Sequence, residues 1–210
     1  MQLHTEGQHK LLKNANLDPE TKDKVLEHNQ SIHKNIQRIT KVTRSLLLLT
    51  NVKSLDELNQ FPFLELVEQV KHNLQTHKNI EFQFELSPET QKAYLQGDKK
   101  LIFQVLESLI MNAIDAIKNK EGEKWIKLAA EVEMSSLIIR VTDSGHGIND
   151  LEVRRQIFDP FFSTKDVGEG KGLGLSLCQR IARIHKGELT YNDESQHTQF
   201  VLSLPLHHEN

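Results

Sequence analysis

The sequence predicts an α+β fold, a layered sandwich built over a mixed β-sheet. Apolar residues alternate with polar ones in several short runs that end at turn residues, which is typical of strands. Longer segments place apolar residues at helical spacing instead. The strands and helices interleave without regular β–α–β alternation, which favours this sandwich over a parallel α/β fold.

The predicted elements follow this pattern along residues 61–206. In chain order they are a helix over 63–77, a strand over 80–86, a short segment near Tyr94, a helix over about 99–119, strands near 125–132 and 137–142, a helix over 173–185, and strands near 188–192 and 199–204. Ser87-Pro88 ends the first strand, because proline has no N–H to donate to a sheet.

The first 55 residues carry a different pattern. Between Thr21 and about Thr50 no glycine or proline interrupts the chain. Four apolar residues recur there every seven positions: Val25, Ile32, Ile39 and Leu46. This repeat is typical of a helix that packs in a bundle or coiled coil, and a long helix packed on its own domain is the alternative. We predict two domains, a helical region over 1–55 and a larger domain over 56–210.

The composition is that of an ordinary soluble protein, with 37% hydrophobic and 26% charged residues. A net charge of −3 gives no reason to expect nucleic acid or an anionic membrane as a partner. The single cysteine, Cys178, suits a reducing compartment. No apolar run approaches the roughly 20 residues that span a bilayer, and the first residues lack the apolar centre of a signal peptide. We therefore expect a cytoplasmic chain, joined to a membrane only through segments upstream of Met1.

A first chemical signal starts at Asp143, which follows an apolar strand and opens the motif DSGHGI. A carboxylate at the end of a buried strand can accept a hydrogen bond from a ligand amine, such as the exocyclic amine of adenine. Gly145 and Gly147 allow the backbone to approach a ligand closely. The alternative is a tight turn in a β-hairpin, where Asp-Ser-Gly is common.

A second signal is a run of alternating glycines that leads into the last predicted helix: Gly168, Gly170, Gly172 and Gly174. Freed backbone N–H groups and the positive end of a helix favour phosphate binding, to which Lys165 and Lys171 would add charge. A P-loop does not fit, because Gly172 stands where Ser or Thr is needed. A dinucleotide fingerprint does not fit either, because Leu173 replaces its third glycine. A flexible linker is the less favoured alternative.

Asn112 is a third signal, because it lies in the middle of a predicted helix among apolar neighbours, in SLIMNAIDAI. Its amide oxygen suits Mg²⁺, a hard cation that binds few protein groups together with phosphates and waters. Asp115 is three residues further on and therefore on the same side of the helix. A hydrogen bond to a neighbouring helix or strand explains Asn112 equally well.

Three phenylalanines lie between these signals, in the segment IFDPFFSTK. Phe158, Phe161 and Phe162 form either a small satellite core or the base of a loop that orders over a ligand. In the second case Thr164 and Lys165 would face the phosphate region.

In this order the motifs resemble the ATP-binding domain of two-component sensor histidine kinases, a branch of the superfamily shared with Hsp90-type chaperones, type II topoisomerases and MutL-type repair ATPases. SLIMNAIDAI is similar to the N box of these kinases, DSGHGI to the G1 box, IFDPFFSTK to the F box and GEGKGLGLSL to the G2 box. The resemblance covers about residues 61–206 and is strongest to the nitrogen-regulation class. It implies a Bergerat-type sandwich, with helices on one face of the mixed sheet.

The resemblance also implies a site for ATP and Mg²⁺. Asn112 would coordinate Mg²⁺ and is the residue given a catalytic role, Asp143 would bind adenine, and residues from about 150 to 172 would form a lid. The other residues placed at the nucleotide are Asp115, Gly145, Gly147, Ile148, Phe158, Thr164, Lys165, Gly170, Lys171, Gly172, Leu173, Gly174 and Leu175.

Three departures from the family pattern qualify this resemblance. Ser108 stands where these kinases commonly carry a second Asn and the ATPase relatives their catalytic Glu, so hydrolysis by the chaperone-type route is not expected. Asp115 stands where many of the kinases place a basic residue. No H box of the form H-E-[IL]-x-x-P-L is present, and neither His4 nor His9 has the acid and proline that should follow.

The sequence therefore predicts the cytoplasmic catalytic portion of an ATP-dependent sensor histidine kinase, which passes the γ-phosphoryl group to a histidine for relay to a response-regulator receiver domain. The helix over 21–50 would be the second helix of a dimerisation hairpin, so a homodimer is expected, with 1–15 as the remainder of the first helix. An ATP-binding signalling module without kinase output is the alternative. A serine kinase of the anti-sigma type would share the pocket but not the hairpin.

Overall fold

The computed structural model describes residues 59–165 and 172–206, together with single positions between 18 and 32. The chain divides into two compact units, Met1–Asn51 and Val52–Asn210. The named helices and strands below belong to the second unit, which carries the residues that the sequence singles out for chemistry.

In the first unit, the described positions from Thr21 to Ile32 are helical. The Thr21 N–H donates to Asp18 Oδ1 at 2.9 Å, which is the side-chain cap expected at the start of a helix. The remainder of the helix predicted over 21–50, and the predicted domain boundary after residue 55, lie outside the described residues.

The described part of the second unit contains seven strands and four α-helices. In chain order these are β1 (Gln60–Pro62), α1 (Phe63–Leu74), β2 (Glu81–Leu86), a 3₁₀ helix (Pro88–Lys92), β3 (Tyr94–Gln96), α2 (Lys99–Ile117), β4 (Trp125–Glu133), β5 (Ser136–Asp143), α3 (Leu151–Gln156), α4 (Gly174–Ile184), β6 (Glu188–Tyr191) and β7 (Gln199–Pro205). Each predicted helix and strand is present, with small shifts at the ends. The short elements β1 and α3 were not predicted. None of the described helices is long and apolar enough to cross a membrane.

A mixed five-stranded sheet has the order β2-β4-β5-β7-β6. β2 runs parallel to β4, whereas the other neighbouring strands are antiparallel. β1 and β3 form a separate antiparallel ribbon. The predicted mixed sheet is therefore confirmed. Its central strand, β5, ends at Asp143, which lies opposite Ile126 of β4.

The core lies between the helices and one face of this sheet. Its fully buried residues include Phe63 and Leu66 of α1, Leu106 and Leu109 of α2, Ile181 of α4, and Leu137 and Ile139 of β5. The opposite face carries charged side chains, among them Lys127 and Arg140, which form ion pairs with glutamates of β2 and β4. The helices thus cover one face of the sheet, because only that face is continuously apolar.

A buried histidine joins the end of α4 to the start of α2. The Nδ1 of His185 donates to the Ile181 carbonyl at 2.8 Å, and its Nε2 accepts the N–H of Asp98 at 3.0 Å. The Asp98 carboxylate in turn caps α2 by accepting backbone N–H groups of Lys100 and Leu101. Burial lowers the pKa of His185 from its ordinary 6.5, and the bond to Ile181 and the charge of Asp98 offset this in part. The neutral ring is therefore the form that fits the fold.

We expect the titration of His185 to make stability depend on pH. Between 6.5 and the lowered pKa of the folded state, the unfolded chain binds the proton and the folded chain does not, so the free energy of unfolding falls as the pH falls. His185→Phe should remove this contribution. It should also cost about 1–3 kcal/mol at neutral pH, because the Asp98 N–H loses its acceptor. Urea unfolding measured on both sides of pH 6.5 tests both effects.

His185→Gln is the matched control, because its amide oxygen can accept a hydrogen bond near the position of Nε2 without titrating. This variant should lose the same pH dependence and retain more of the stability than His185→Phe. A pH dependence that stays as in the unsubstituted protein in both variants would contradict the role assigned to His185.

Candidate functional site

Asp143 ends β5 with its carboxylate inside the protein, at 3% exposure. The Gly145 N–H donates to Oδ1 at 2.7 Å, and the Thr198 hydroxyl donates to the same carboxylate. Burial raises the pKa of Asp143 above its ordinary 3.8, and these two bonds and the nearby charge of His197 offset the effect only in part. A carboxylate has about four lone-pair sites, so this one can still accept a hydrogen bond from a ligand.

The segment after Asp143 is not a hairpin turn, so that alternative is wrong. The chain continues from β5 into α3 rather than into a strand that pairs with β5. The Asp143 N–H donates to the Thr198 carbonyl at 3.1 Å. Ser144 donates its N–H to the Trp125 carbonyl at 3.0 Å, and its Oγ accepts the Trp125 N–H at 3.2 Å. The motif is therefore held between the start of β4 and the residues that precede β7.

The glycines of DSGHGI occupy positions that a side chain would disturb. A Cβ on Gly145 would lie 2.6 Å from Asp143 Oδ1. Gly147 has a φ of +71°, in the left-handed region that favours glycine. The Ile148 N–H donates to the Tyr191 hydroxyl at 3.0 Å. The backbone therefore passes close to both the carboxylate and β6 along this turn.

Two of the three phenylalanines in IFDPFFSTK pack on the main core. The Phe158 ring meets the Phe200 ring edge-on, with centroids 6.3 Å apart, and Phe162 also packs against the core. Phe161 is 76% exposed. The segment is thus attached to the main core and does not form a satellite core of its own. The contact of Phe158 with a nucleotide stays a prediction.

Gly172 joins this aromatic segment to the start of α4. Its carbonyl accepts the Phe161 N–H at 2.8 Å, and its φ is +60°. A Cβ there would lie 2.2 Å from a backbone atom of Phe161 and 2.3 Å from one of Phe162, so only glycine fits. Leu173 then precedes α4, and Leu175 packs against the core. The C-terminal end of the lid predicted over about 150–172 is therefore tied to the aromatic segment in its middle.

Asn112 lies in the middle of α2 with its side chain half-buried. Among the described residues, none forms a hydrogen bond with its amide, so the bond to a neighbouring helix or strand considered as an alternative is not made there. A Cβ built on Gly174 would lie 3.3 Å from Ser108 Oγ, one turn before Asn112. The start of α4 therefore lies beside the face of α2 that carries both side chains.

Lys165 and Asp115, both expected near phosphate, form an ion pair with each other. The Lys165 Nζ lies 2.5 Å from Asp115 Oδ2, and the two side chains are 37% and 44% exposed. An exposed pair of this kind contributes only about 0–1 kcal/mol, so an anionic ligand can displace the carboxylate. Thr164 is exposed beside Lys165. The structure thus brings the end of the aromatic segment onto α2, one turn beyond Asn112.

Two predicted site residues fall outside the part of the chain that the structure describes, and three residues beside the site were not predicted from the sequence. Gly170 and Lys171 lie outside the described residues. Thr198, Tyr191 and His197 contact the DSGHGI segment and were not singled out from the sequence, since His197 lies 52 residues from Gly145 along the chain. Nothing in the local pattern of these residues distinguishes them from the ordinary polar positions that flank strands.

The fold and the site together are those of a class of ATP-binding proteins. A family model described as histidine kinase-, DNA gyrase B- and HSP90-like ATPase matches residues 97–208. The chain belongs to this family, and its relatives place it in the sensor histidine kinase branch. The match includes all four motifs, from SLIMNAIDAI to GEGKGLGLSL.

Three relatives illustrate the similarity. The chain is 34% identical over 166 residues to the signal transduction histidine-protein kinase AtoS of Escherichia coli strain K12, covering 78% of this chain and 26% of AtoS. It is 34% identical over 179 residues to sporulation kinase C of Bacillus subtilis strain 168, covering 83% of this chain and 40% of that kinase. The chain therefore spans less than half the length of either relative.

The third relative is the histidine kinase ThkA, known from solved structures. Its catalytic domain matches with a TM-score of 0.62 at 32% identity, covering 71% of this chain and 95% of that domain. ThkA in complex with the response regulator protein TrrA matches with a TM-score of 0.66 at 26% identity, covering 96% of this chain and 56% of that kinase. The sandwich is thus the fold of histidine kinase catalytic domains.

We expect Gly172→Ala to release the aromatic segment from α4. The substitution places a left-handed φ on alanine, at a cost on the order of 1 kcal/mol, and also drives Cβ into the backbone of Phe161 and Phe162. Gly122→Ala is the matched control, because its φ is +78° but nothing lies within 4 Å of the Cβ position. Hydrogen exchange should show a loss of protection at the Phe161 amide in Gly172→Ala alone. Equal protection of that amide in both variants would show that the contact does not tie the segment.

Proposed function

We propose that this chain is the ATP-binding catalytic part of a sensor histidine kinase, which transfers the γ-phosphoryl group of Mg·ATP to a histidine for relay to a response regulator. The observation that carries the proposal is Asp143, a buried carboxylate at the end of a central strand in a member of an ATP-binding family. The complex of ThkA with a response regulator supports the choice of partner. The proposal places the domain in the cytoplasm, where ATP is available.

Asp143 would recognise the adenine ring. Gly145 and Thr198 use part of the acceptor capacity of the carboxylate and fix its orientation. The exocyclic amine of adenine would donate to a remaining lone pair. Because the carboxylate is buried, a base with a carbonyl at that position would place two acceptors face to face without water between them. The bond would therefore select adenine over guanine or hypoxanthine.

Asn112 would serve the phosphate end of the nucleotide. Its amide oxygen is a ligand type that Mg²⁺ accepts, and it is half-buried with no hydrogen-bond partner in the described part of the chain. Mg²⁺ in this position would neutralise charge on the phosphates. Lys165 would exchange Asp115 for a phosphate oxygen, and the start of α4 near Gly174 would supply backbone N–H groups.

The acceptor in this proposal is a histidine rather than water. Ser108 beside Asn112 carries no carboxylate, so it cannot act as the general base that would activate water. A neutral imidazole already presents a lone pair and needs no such base. The site would then act by holding ATP in position and neutralising charge, which is how most phosphoryl transfer is catalysed.

The helical region over 1–55 would bring two copies together. Ile32, one of the residues in the seven-residue repeat, is 54% exposed in the single chain. An apolar side chain exposed on such a repeat is the feature that a second helix would cover. The proposed homodimer would form through this helical region.

Asp143→Asn should weaken ATP binding by about 10- to 100-fold. The asparagine amide would present an N–H group to the adenine amine in place of an acceptor. Loss of a hydrogen bond to a charged group such as the Asp143 carboxylate costs about 1.5–3 kcal/mol of binding free energy. Asp193→Asn is the matched control, since that carboxylate is exposed in the β6–β7 connection. Calorimetric titration with ATP and Mg²⁺ measures both affinities. Unchanged affinity in Asp143→Asn would refute the site.

Phosphoryl transfer is tested with γ-labelled ATP and the protein in its natural full length. We expect acid-labile, base-stable label on the protein, and a rate about 100-fold or more lower in Asn112→Ala, because that residue would hold charge-neutralising Mg²⁺. Asn119→Ala, at an exposed position just beyond α2, should label at the normal rate. Tight ATP binding without any label would favour the signalling module without kinase output.

A further inference from the structure

His197 lies in the connection between β6 and β7, directly before Thr198. Its ring meets the Trp125 ring edge-on, with centroids 4.9 Å apart and planes at 81°. Its backbone N–H donates to Ser195 Oγ at 3.2 Å. The imidazole ring thus packs against the Trp125 ring of β4, and a local turn fixes the backbone that carries it.

The Nδ1 atom of His197 lies 2.9 Å from the carbonyl oxygen of Gly145. A carbonyl oxygen only accepts hydrogen bonds, so Nδ1 carries the proton and donates it. This assignment holds for the neutral ring and for the charged ring alike, because both can carry a proton on Nδ1. The contact links two segments that lie 52 residues apart in the chain.

Gly145 is consequently held on both sides of its Cα. Its N–H donates to Asp143 Oδ1 at 2.7 Å, and its C=O accepts from His197. A side chain at this position would press on the Asp143 carboxylate, so glycine is required, and glycine has the largest conformational freedom to lose. An outside donor that fixes the following peptide therefore limits how far the Gly145 N–H can turn away from Asp143.

We propose that His197 is a positioning residue for base recognition: its Nδ1–H fixes Gly145, and Gly145 orients the Asp143 carboxylate toward the amine of an adenine nucleotide. This inference rests on the proposed function and adds a residue that determines its specificity. Removing the donor frees Gly145 to rotate, and the carboxylate then loses a fixed direction. The binding lost is therefore that of the exocyclic amine, and the contacts with the phosphates are unaffected.

Two substitutions separate the hydrogen bond from the ring packing. His197→Asn keeps an N–H donor near the position of Nδ1 and loses the aromatic ring. His197→Phe keeps a ring against Trp125 and loses the donor. If His197 served only to pack on Trp125, the phenylalanine variant would retain function and the asparagine variant would lose it.

The experiment compares the dissociation constants of ATP and inosine triphosphate, which has a carbonyl in place of the amine, for the unsubstituted protein, Asp143→Asn, His197→Asn and His197→Phe. We expect the preference for ATP to fall about 10-fold in His197→Phe, with inosine triphosphate affinity nearly unchanged, and to stay within about 3-fold of normal in His197→Asn. The ratio of two dissociation constants does not depend on the fraction of folded protein, so partial unfolding does not imitate this result.

Two outcomes would overturn the inference: a normal preference in His197→Phe, or an equal loss in both His197 variants. Failure of the proposed function is recognised separately, through Asp143→Asn. If that variant kept the normal preference for ATP, the carboxylate would not read the base at all. If Asp143→Asn lost the preference for ATP while His197→Phe kept it, the proposed ATP site would be supported and only the role assigned to His197 would be wrong.

Discussion

The burial of one carboxylate at the end of β5 is the constraint on which the site depends. Charge inside an apolar core is unfavourable unless hydrogen-bond donors surround it, and here the raised pKa of Asp143 indicates that the donors offset burial only in part. Gly145 and Thr198 supply two donors to a carboxylate that has about four acceptor sites, so the acceptor capacity of this group is not fully used. A ligand can donate a further hydrogen bond to this carboxylate, in addition to those from Gly145 and Thr198. The position is therefore suitable for recognising an amine.

The surrounding structure follows from holding that carboxylate in place. The turn that supplies the Gly145 N–H requires glycine, and it is fixed in turn by β4 and by the connection before β7. On the other side, α2 packs on β5 and carries Asn112, while α4 begins beside Ser108. The contact through His185 ties the far ends of α2 and α4 together. These contacts add to the core packing between the two helices, which already fixes α4 against α2.

Much of the fold was predictable because it rests on local periodicity. The alternation that buries Leu137 and Ile139 and the helical spacing of α2 identify β5 and α2 without any tertiary information. α3 was missed because it is a six-residue polar segment with no buried residue. The interpretation of Asp-Ser-Gly as a hairpin turn was wrong for a related reason. Turn residues do not reveal which secondary-structure element follows them. The partners Thr198 and His197 could not be predicted, since sheet pairing alone brings them to the turn.

A crystal structure with Mg²⁺ and a non-hydrolysable ATP analogue would show directly whether Asp143 recognises the base. We expect the exocyclic amine of adenine about 3 Å from the Asp143 carboxylate, within hydrogen-bond distance, with Gly145 still bonded to Oδ1. We also expect the Asn112 amide oxygen to hold Mg²⁺ at the phosphates. An analogue bound with its base away from Asp143, or with Asn112 remote from the phosphates, would contradict the central claim that the buried carboxylate of β5 organises an ATP site.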